Sequence, residues 1–185
     1  MLRSALLSII SLGLAGCATA PGDRSFGEHF EGGPSLQIYP AGIIAGVEVR
    51  TPVGDDDVVS LRAAYNATDR QDFGEHDDEE GGGPGLGVGV RRYFSAERTG
   101  WHVGGRLDLW FLEIDWEDDA PAAEGTTDVI VLQPTVEGGY GWEIGSGWTL
   151  DLTASVGAEI NLDEDGEDVG EGAIGLLGVT FIRAF

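Results

Sequence analysis

The chain has no lysine, a single cysteine and three histidines among its 185 residues. One thiol excludes an intramolecular disulfide. With no His or second Cys close to Cys17, it excludes a thiolate metal site too. All ten basic residues are arginine, set against 33 acids, for a formal charge of −23. That balance repels phosphate and excludes nucleic acid as a partner. Beyond the N-terminus no stretch carries the 3.6-residue period of an amphipathic helix, which argues against a helical fold. What the chain does have is glycine, 31 residues of it, and apolar residues in long alternation with polar ones.

Arg3, the apolar run Leu6 to Leu14 and the small residues after it form a secretory signal, too short and wrongly flanked for a spanning helix. Leu14-Ala15-Gly16-Cys17 resembles the bacterial lipobox, which implies cleavage before Cys17 and acylation of its thiol. One acyl chain binds a membrane marginally, whereas several hold it firmly. The same resemblance implies that Ala18, where an Asp would retain the protein, permits sorting to the outer membrane. Ala18-Thr19-Ala20 offers an alternative cleavage site, disfavoured by Pro21. The expected organisation is a signal peptide over 1–16, a linker over 17–29 and one domain over 30–185. Removing residues 1–16 deletes Arg3 and no acid, so the mature charge is −23 − 1 = −24.

From about residue 30 the period is two. Trp148, Leu150, Leu152, Ala154, Val156, Ala158, Ile160 and Leu162 share one face of a strand, opposite Asp151, Thr153, Ser155, Glu159 and Asn161. The same split recurs around Ile43–Val49, Val59–Tyr65, Leu86–Val90, Trp101–Leu109 and Ile130–Trp142, and the last stretch runs from Ala173 to Phe185. An eighth strand over His29 to Tyr39 completes an even number, although Gly32-Gly33-Pro34 interrupts it. After Leu109 the apolar parity flips to Leu112, Ile114 and Trp116. A β-bulge near Trp110-Phe111 would produce that flip. So would a strand that has already left the hydrocarbon layer.

Short turns at one end (Pro52 to Asp56, Ser95 to Gly100, Gly145 to Gly147) alternate with longer acidic connections at the other: Gln71 to Gly83, Asp118 to Thr127 and Asp163 to Gly170. That is the plan of an outer-membrane barrel. A soluble barrel has the same alternation with its apolar face inward. The membrane is favoured by strands long enough for a tilted span of about 9–11 residues. It is favoured also by aromatics near the short turns (Phe94, Trp101, Tyr140, Trp142, Trp148, Phe181), which read as an interfacial girdle. The C-terminal "GVTFIRAF" is similar to the terminal signal of outer-membrane barrels, with Phe185, Phe181, Val179 and Leu177 on one parity and a departure at Arg183. By pattern and terminus, residues 30–185 resemble the small OmpA/OmpX-type barrels.

That resemblance implies an all-β fold: an eight-stranded, antiparallel, up-and-down transmembrane barrel. It would be lipid-anchored and spanning in the cell outer membrane, with outer-membrane lipid as one partner. The barrel-assembly machinery would be another, reached through the strand ending at Phe185. The polar face then points inward with Glu48, Arg50, Arg62, Arg91, His102, Arg106, Asp108, Glu137, Asp151 and Glu159. A barrel this narrow is filled by side chains, and buried charges must be paired. The expected interior is therefore a polar plug. Ser155, His102 and Asp151 could in principle activate a hydroxyl, as in lipid A-modifying barrels. The expectation is nonetheless no enzyme, because His102 and Asp151 lie at the end away from lipid A. Asn161-x-Asp163-x-Asp165-Gly166 resembles the start of a calcium loop, out of register beyond it. No cofactor is expected beyond weak divalent cations at the acidic loops. The expected role is structural or interactive. The alternative is a soluble lipocalin-like lipoprotein with an apolar ligand lined by Trp148 and Leu152.

Overall fold

A computed structural model describes residues 29–70, 75–95, 97–120, 122–145 and 147–185. The signal segment, Cys17 and nearly all of the 17–29 linker lie outside the described residues. Eight strands follow in order: β1 (Glu31–Tyr39), β2 (Gly42–Pro52), β3 (Asp57–Asp69), β4 (Asp78–Tyr93), β5 (Gly100–Asp119), β6 (Ala122–Glu143), β7 (Trp148–Asp165) and β8 (Gly172–Ala184). Each pairs antiparallel with its sequence neighbour, and β1 pairs with β8 to close the cylinder. Closure satisfies every strand edge, the condition for a sheet to cross lipid.

The ladder is staggered. Ser35, Gly46, Ala64, Gly85, Trp110, Val131 and Asn161 are paired in succession in one direction around the wall. In the other direction Ser35 pairs with Thr180, and Thr180 with Asp151. The path therefore returns to β7 displaced by 161 − 151 = 10 residues. This shear tilts the strands and sets an interior that side chains can fill.

Gly32-Gly33-Pro34 does not break β1. Pro34 pairs with Val47, and a Cβ at Gly33 would overlap the carbonyl oxygen of Phe181 across the seam, so glycine lets the two backbones close. The amide of Phe185 then donates to the carbonyl of Phe30 at 3.0 Å, fastening the last residue to the first strand.

Two expectations need correction. Part of each long acidic connection is strand, and nearly all of the one from Asp118 to Thr127: β4 already begins at Asp78, β7 runs to Asp165, β5 runs to Asp119, and Asp119 pairs with Ala122. There the outer face carries acids in place of apolar residues, so the ladder continues while the apolar alternation that marks a strand ends. There is also no bulge near Trp110-Phe111. The β5–β6 register is continuous from Gly100 to Asp119, and Leu112 and Ile114 lie on the same inner face as His102 and Asp108. The interior, not the parity, changes from polar to apolar, while Glu113 and Asp115 mark where the outer face leaves the hydrocarbon. The register shift lies elsewhere, between Ile130 and Val131 opposite β7, where Leu162 is the extra residue.

Candidate functional site

The inner face of the cylinder carries a lattice of four arginines and four carboxylates. Glu48 contacts Arg50 at 2.5 Å, Arg91 at 3.5 Å and Arg106 at 3.6 Å. Asp151 contacts Arg50 at 2.8 Å and Arg91 at 3.1 Å, and accepts a hydrogen bond from His102 Nε2 at 2.9 Å. Glu137 bridges Arg91 and Arg106, the latter at 3.1 Å. Asp108 bridges Arg62 at 2.8 Å and Arg106 at 3.3 Å. Every carboxylate thus meets at least two cations, and the set is neutral. Gln37 accepts from Arg62, and Tyr93 OH accepts from Arg50 Nη1 at 3.3 Å. Breaking such a set by removing one member costs about 3–5 kcal/mol, because the partner is left charged and dry.

Space for these side chains comes from glycine. On β4 the residues facing inward include Gly83, Gly85, Gly87 and Gly89. A Cβ at Gly85 would overlap the indole of Trp110, and one at Gly87 the carboxylate of Asp108.

Beyond the lattice the interior becomes apolar. Tyr39, Ile44, Trp110, Leu112, Ile114, Val129, Val131, Ile174 and Leu176 form one cluster, and Val169 of the β7–β8 connection packs into it, only 2% exposed. Val169 acts as a stopper. Four successive carbonyls around it each accept from a side chain of β6, β7 or the β3–β4 connection: Glu167 from Thr127 (2.9 Å), Asp168 from His76 Nε2 (2.9 Å), Val169 from Asn161 (2.9 Å) and Gly170 from Arg70 (2.7 Å). Arg70 also pairs with Glu79 at 3.0 Å and Glu159 at 2.9 Å, and Glu79 accepts from the amides of Glu75 and Gly170.

The outer face is the inverse. Leu61 is 64% exposed and Val156 63%, with Leu86, Val136 and Leu177 alongside, while Arg62 on the inner side is 4% exposed. Trp101 sits edge-on to Tyr140 at 5.1 Å, and Tyr140 lies 4.6 Å from Trp142, all at the end where β1 begins and β8 ends. An apolar belt around a charged filling is stable only with lipid outside. No protein-family model and no curated protein matches the chain. Among solved structures, neisserial surface protein A superposes with a TM-score of 0.53 at 13% identity, over 85% of this chain and 95% of that one. The N-terminal β-barrel domain of Pseudomonas aeruginosa OprF gives 0.47 at 15% identity, covering 85% and 99%. Ail of Yersinia pestis gives 0.44 at 10%, covering 83% and 96%. The fold is that of a small outer-membrane β-barrel.

Within this barrel the structure brings together Glu48, Arg50, Arg62, Arg91, Arg106, Asp108, Glu137 and Asp151. Glu159 is separate and belongs with Arg70 and Glu79, which sequence reading missed. The signal was present: Arg70 continues the inward parity of Arg62, Asn66 and Thr68, and Glu79 that of Arg91 and Tyr93. His102 and Asp151 meet, but Ser155 makes no side-chain hydrogen bond among the described residues, so no Ser–His–Asp relay is assembled. Asn161, Asp163 and Asp165 stand on extended β7, not in a turn, and Asn161 is engaged by Val169 and Glu171. Among the described residues no group of three or more His, Cys, Asp or Glu converges as a metal site. Arg183, the departure from the terminal signal, stacks over Trp148 at 5.5 Å, which places its charge at the interfacial ring.

Proposed function

We propose that this protein is a non-enzymatic outer-membrane lipoprotein, spanning by its barrel and anchored through acylated Cys17. Its role is structural or interactive, exercised through the acidic strand extensions outside the membrane. The supporting observation is the inversion of the cylinder: apolar side chains outward, and an interior filled by neutralised charge and an apolar stopper. Against the lipocalin-like alternative, Leu152 and Val156 face outward and do not line an interior cavity among the described residues. The same geometry supports a reading of the partners. Lipid surrounds the belt, and the β8 strand ending at Phe185, whose ring is fully outward, is the segment offered to the barrel-assembly machinery.

The test is the Cys17→Ser protein. It should remain in the membrane fraction, require detergent, and migrate differently on gels with and without boiling. Recovery as a soluble monomer would overturn the reading. Mass spectrometry of the native N-terminus tests the acyl chains separately. An unmodified Cys17 on a membrane-spanning barrel would remove the anchor and leave the barrel.

A further inference from the structure

We propose that His76 is a proton-dependent latch that holds the Val169 stopper across the outer mouth of the barrel. His76 lies between three elements. Its Nδ1 faces Asp118 Oδ2 of β5 at 3.0 Å, and its Nε2 faces the carbonyl oxygen of Asp168 in the β7–β8 connection at 2.9 Å. Both partners are acceptors only, a carboxylate and a backbone carbonyl. A neutral imidazole carries one N–H and can satisfy one of them, whereas imidazolium satisfies both. The geometry therefore selects the cation. The ring is stacked on Trp116, with centroids 4.1 Å apart and planes 12° from parallel, a position that favours positive charge. Its side chain is 11% exposed, packed between Trp116 and the β7–β8 connection.

The charged surroundings act in one direction. From its own connection Glu75 and Asp77 flank it, and β4 presents Glu79; β5 presents Asp118 and, through its end, Asp119; the β7–β8 connection presents Asp168. Arg70 is bound to Glu79 and Glu159 and does not offset this set. Covering the ring works against its charge, but the hydrogen bond to Asp118 and the surrounding carboxylates outweigh that and raise His76 above the ordinary histidine value. Asp118 is correspondingly lowered by the same hydrogen bond. A group with a raised folded-state value stabilises the latched form fully below its ordinary value. The stabilisation is lost as pH rises through the raised one. Deprotonation leaves either Asp118 or the Asp168 carbonyl without its donor. When the Asp168 tie is the one lost, the stopper keeps those to Thr127, Asn161, Arg70 and Glu79.

Hydrogen exchange of the full-length protein in detergent reads this directly. After correction for the intrinsic rate, protection across residues 166–171 should fall by roughly ten-fold between pH 5.5 and 8.5, as expected for one lost charged hydrogen bond. Peptides from the centre of β6 should not change. His76→Gln should show the weaker protection at both pH values, and His76→Arg should retain it at pH 8.5. Equal corrected protection at both pH values in the wild type would overturn the proposal, as would a His76→Gln profile that titrates like wild type. Should either variant fail to fold, the wild-type comparison alone decides.

Discussion

The guanidinium of Arg62 lies over the indole of Trp110, 5.4 Å from the ring centroid, at the boundary between the ionic lattice and the apolar cluster. One side of Arg62 thus meets Asp108 and the other an aromatic face. The indole in turn donates from Nε1 to Gln133 Oε1 at 3.0 Å. This pair joins the two halves of the interior.

Replacing Arg62 alone should therefore be costly. Arg62→Leu leaves Asp108 dependent on Arg106 at 3.3 Å and removes the cation over Trp110. We expect a loss of about 3–5 kcal/mol. The double variant Arg62→Leu/Asp108→Leu should recover much of that, because no charge is left unpaired. Urea unfolding in detergent micelles, followed by tryptophan fluorescence, gives the coupling. Strict additivity of the two single variants would refute it.

The glycine stripe of β4 predicts a second coupling. Gly85→Leu drives its side chain into the Trp110 ring and should prevent formation of the compact, heat-modifiable species. Trp110→Ala in the same chain should restore it. Failure of the second substitution to rescue the first would show that Gly85 is needed for its backbone and not for space.

The height of the apolar belt can be mapped with charge. Leu61→Arg places a cation on the lipid face and should cost on the order of 2–4 kcal/mol if the site is near the midplane. Glu113→Arg, on the same outward face of the wall but beyond Phe111, should change stability by about 0–1 kcal/mol. Refolding yield into vesicles, compared at equal protein, distinguishes them. Equal penalties would place Glu113 within the hydrocarbon.

The closing contact at the chain end predicts a kinetic effect. Deleting Phe185 removes the 3.0 Å hydrogen bond to Phe30 and an outward ring. Folding into vesicles should slow while the finished barrel keeps its spectrum. An unchanged rate would sink the idea that this residue fastens the seam.

Much of this architecture was legible from parity alone. Leu150, Leu152 and Val156 against Asp151 and Ser155 gave both faces of β7, because a half-lipid, half-filled wall imposes strict alternation. Legibility ended where the environment stopped matching that rule. Leu112 and Ile114 are inward yet apolar, so they resembled a change of parity. Glu79, on β4, and Arg70, just past the end of β3, are inward and charged but sit among acids, where the outward face offers no apolar contrast. Asn161 looked like a cation ligand because short polar residues at alternate positions serve both a calcium loop and a strand edge. The stopper was invisible for a simpler reason: nothing in "EDVGEG" says that Val169 turns inward.

The neutrality of the lattice has an electrical corollary. Four positive and four negative groups locked in mutual contact have no excess to move when a voltage is applied, and the oily section above them offers an ion no replacement for its hydration shell. A planar bilayer holding this protein should consequently carry no more current than bare lipid, at either polarity, because a cylinder filled in this way is an electrical insulator from end to end.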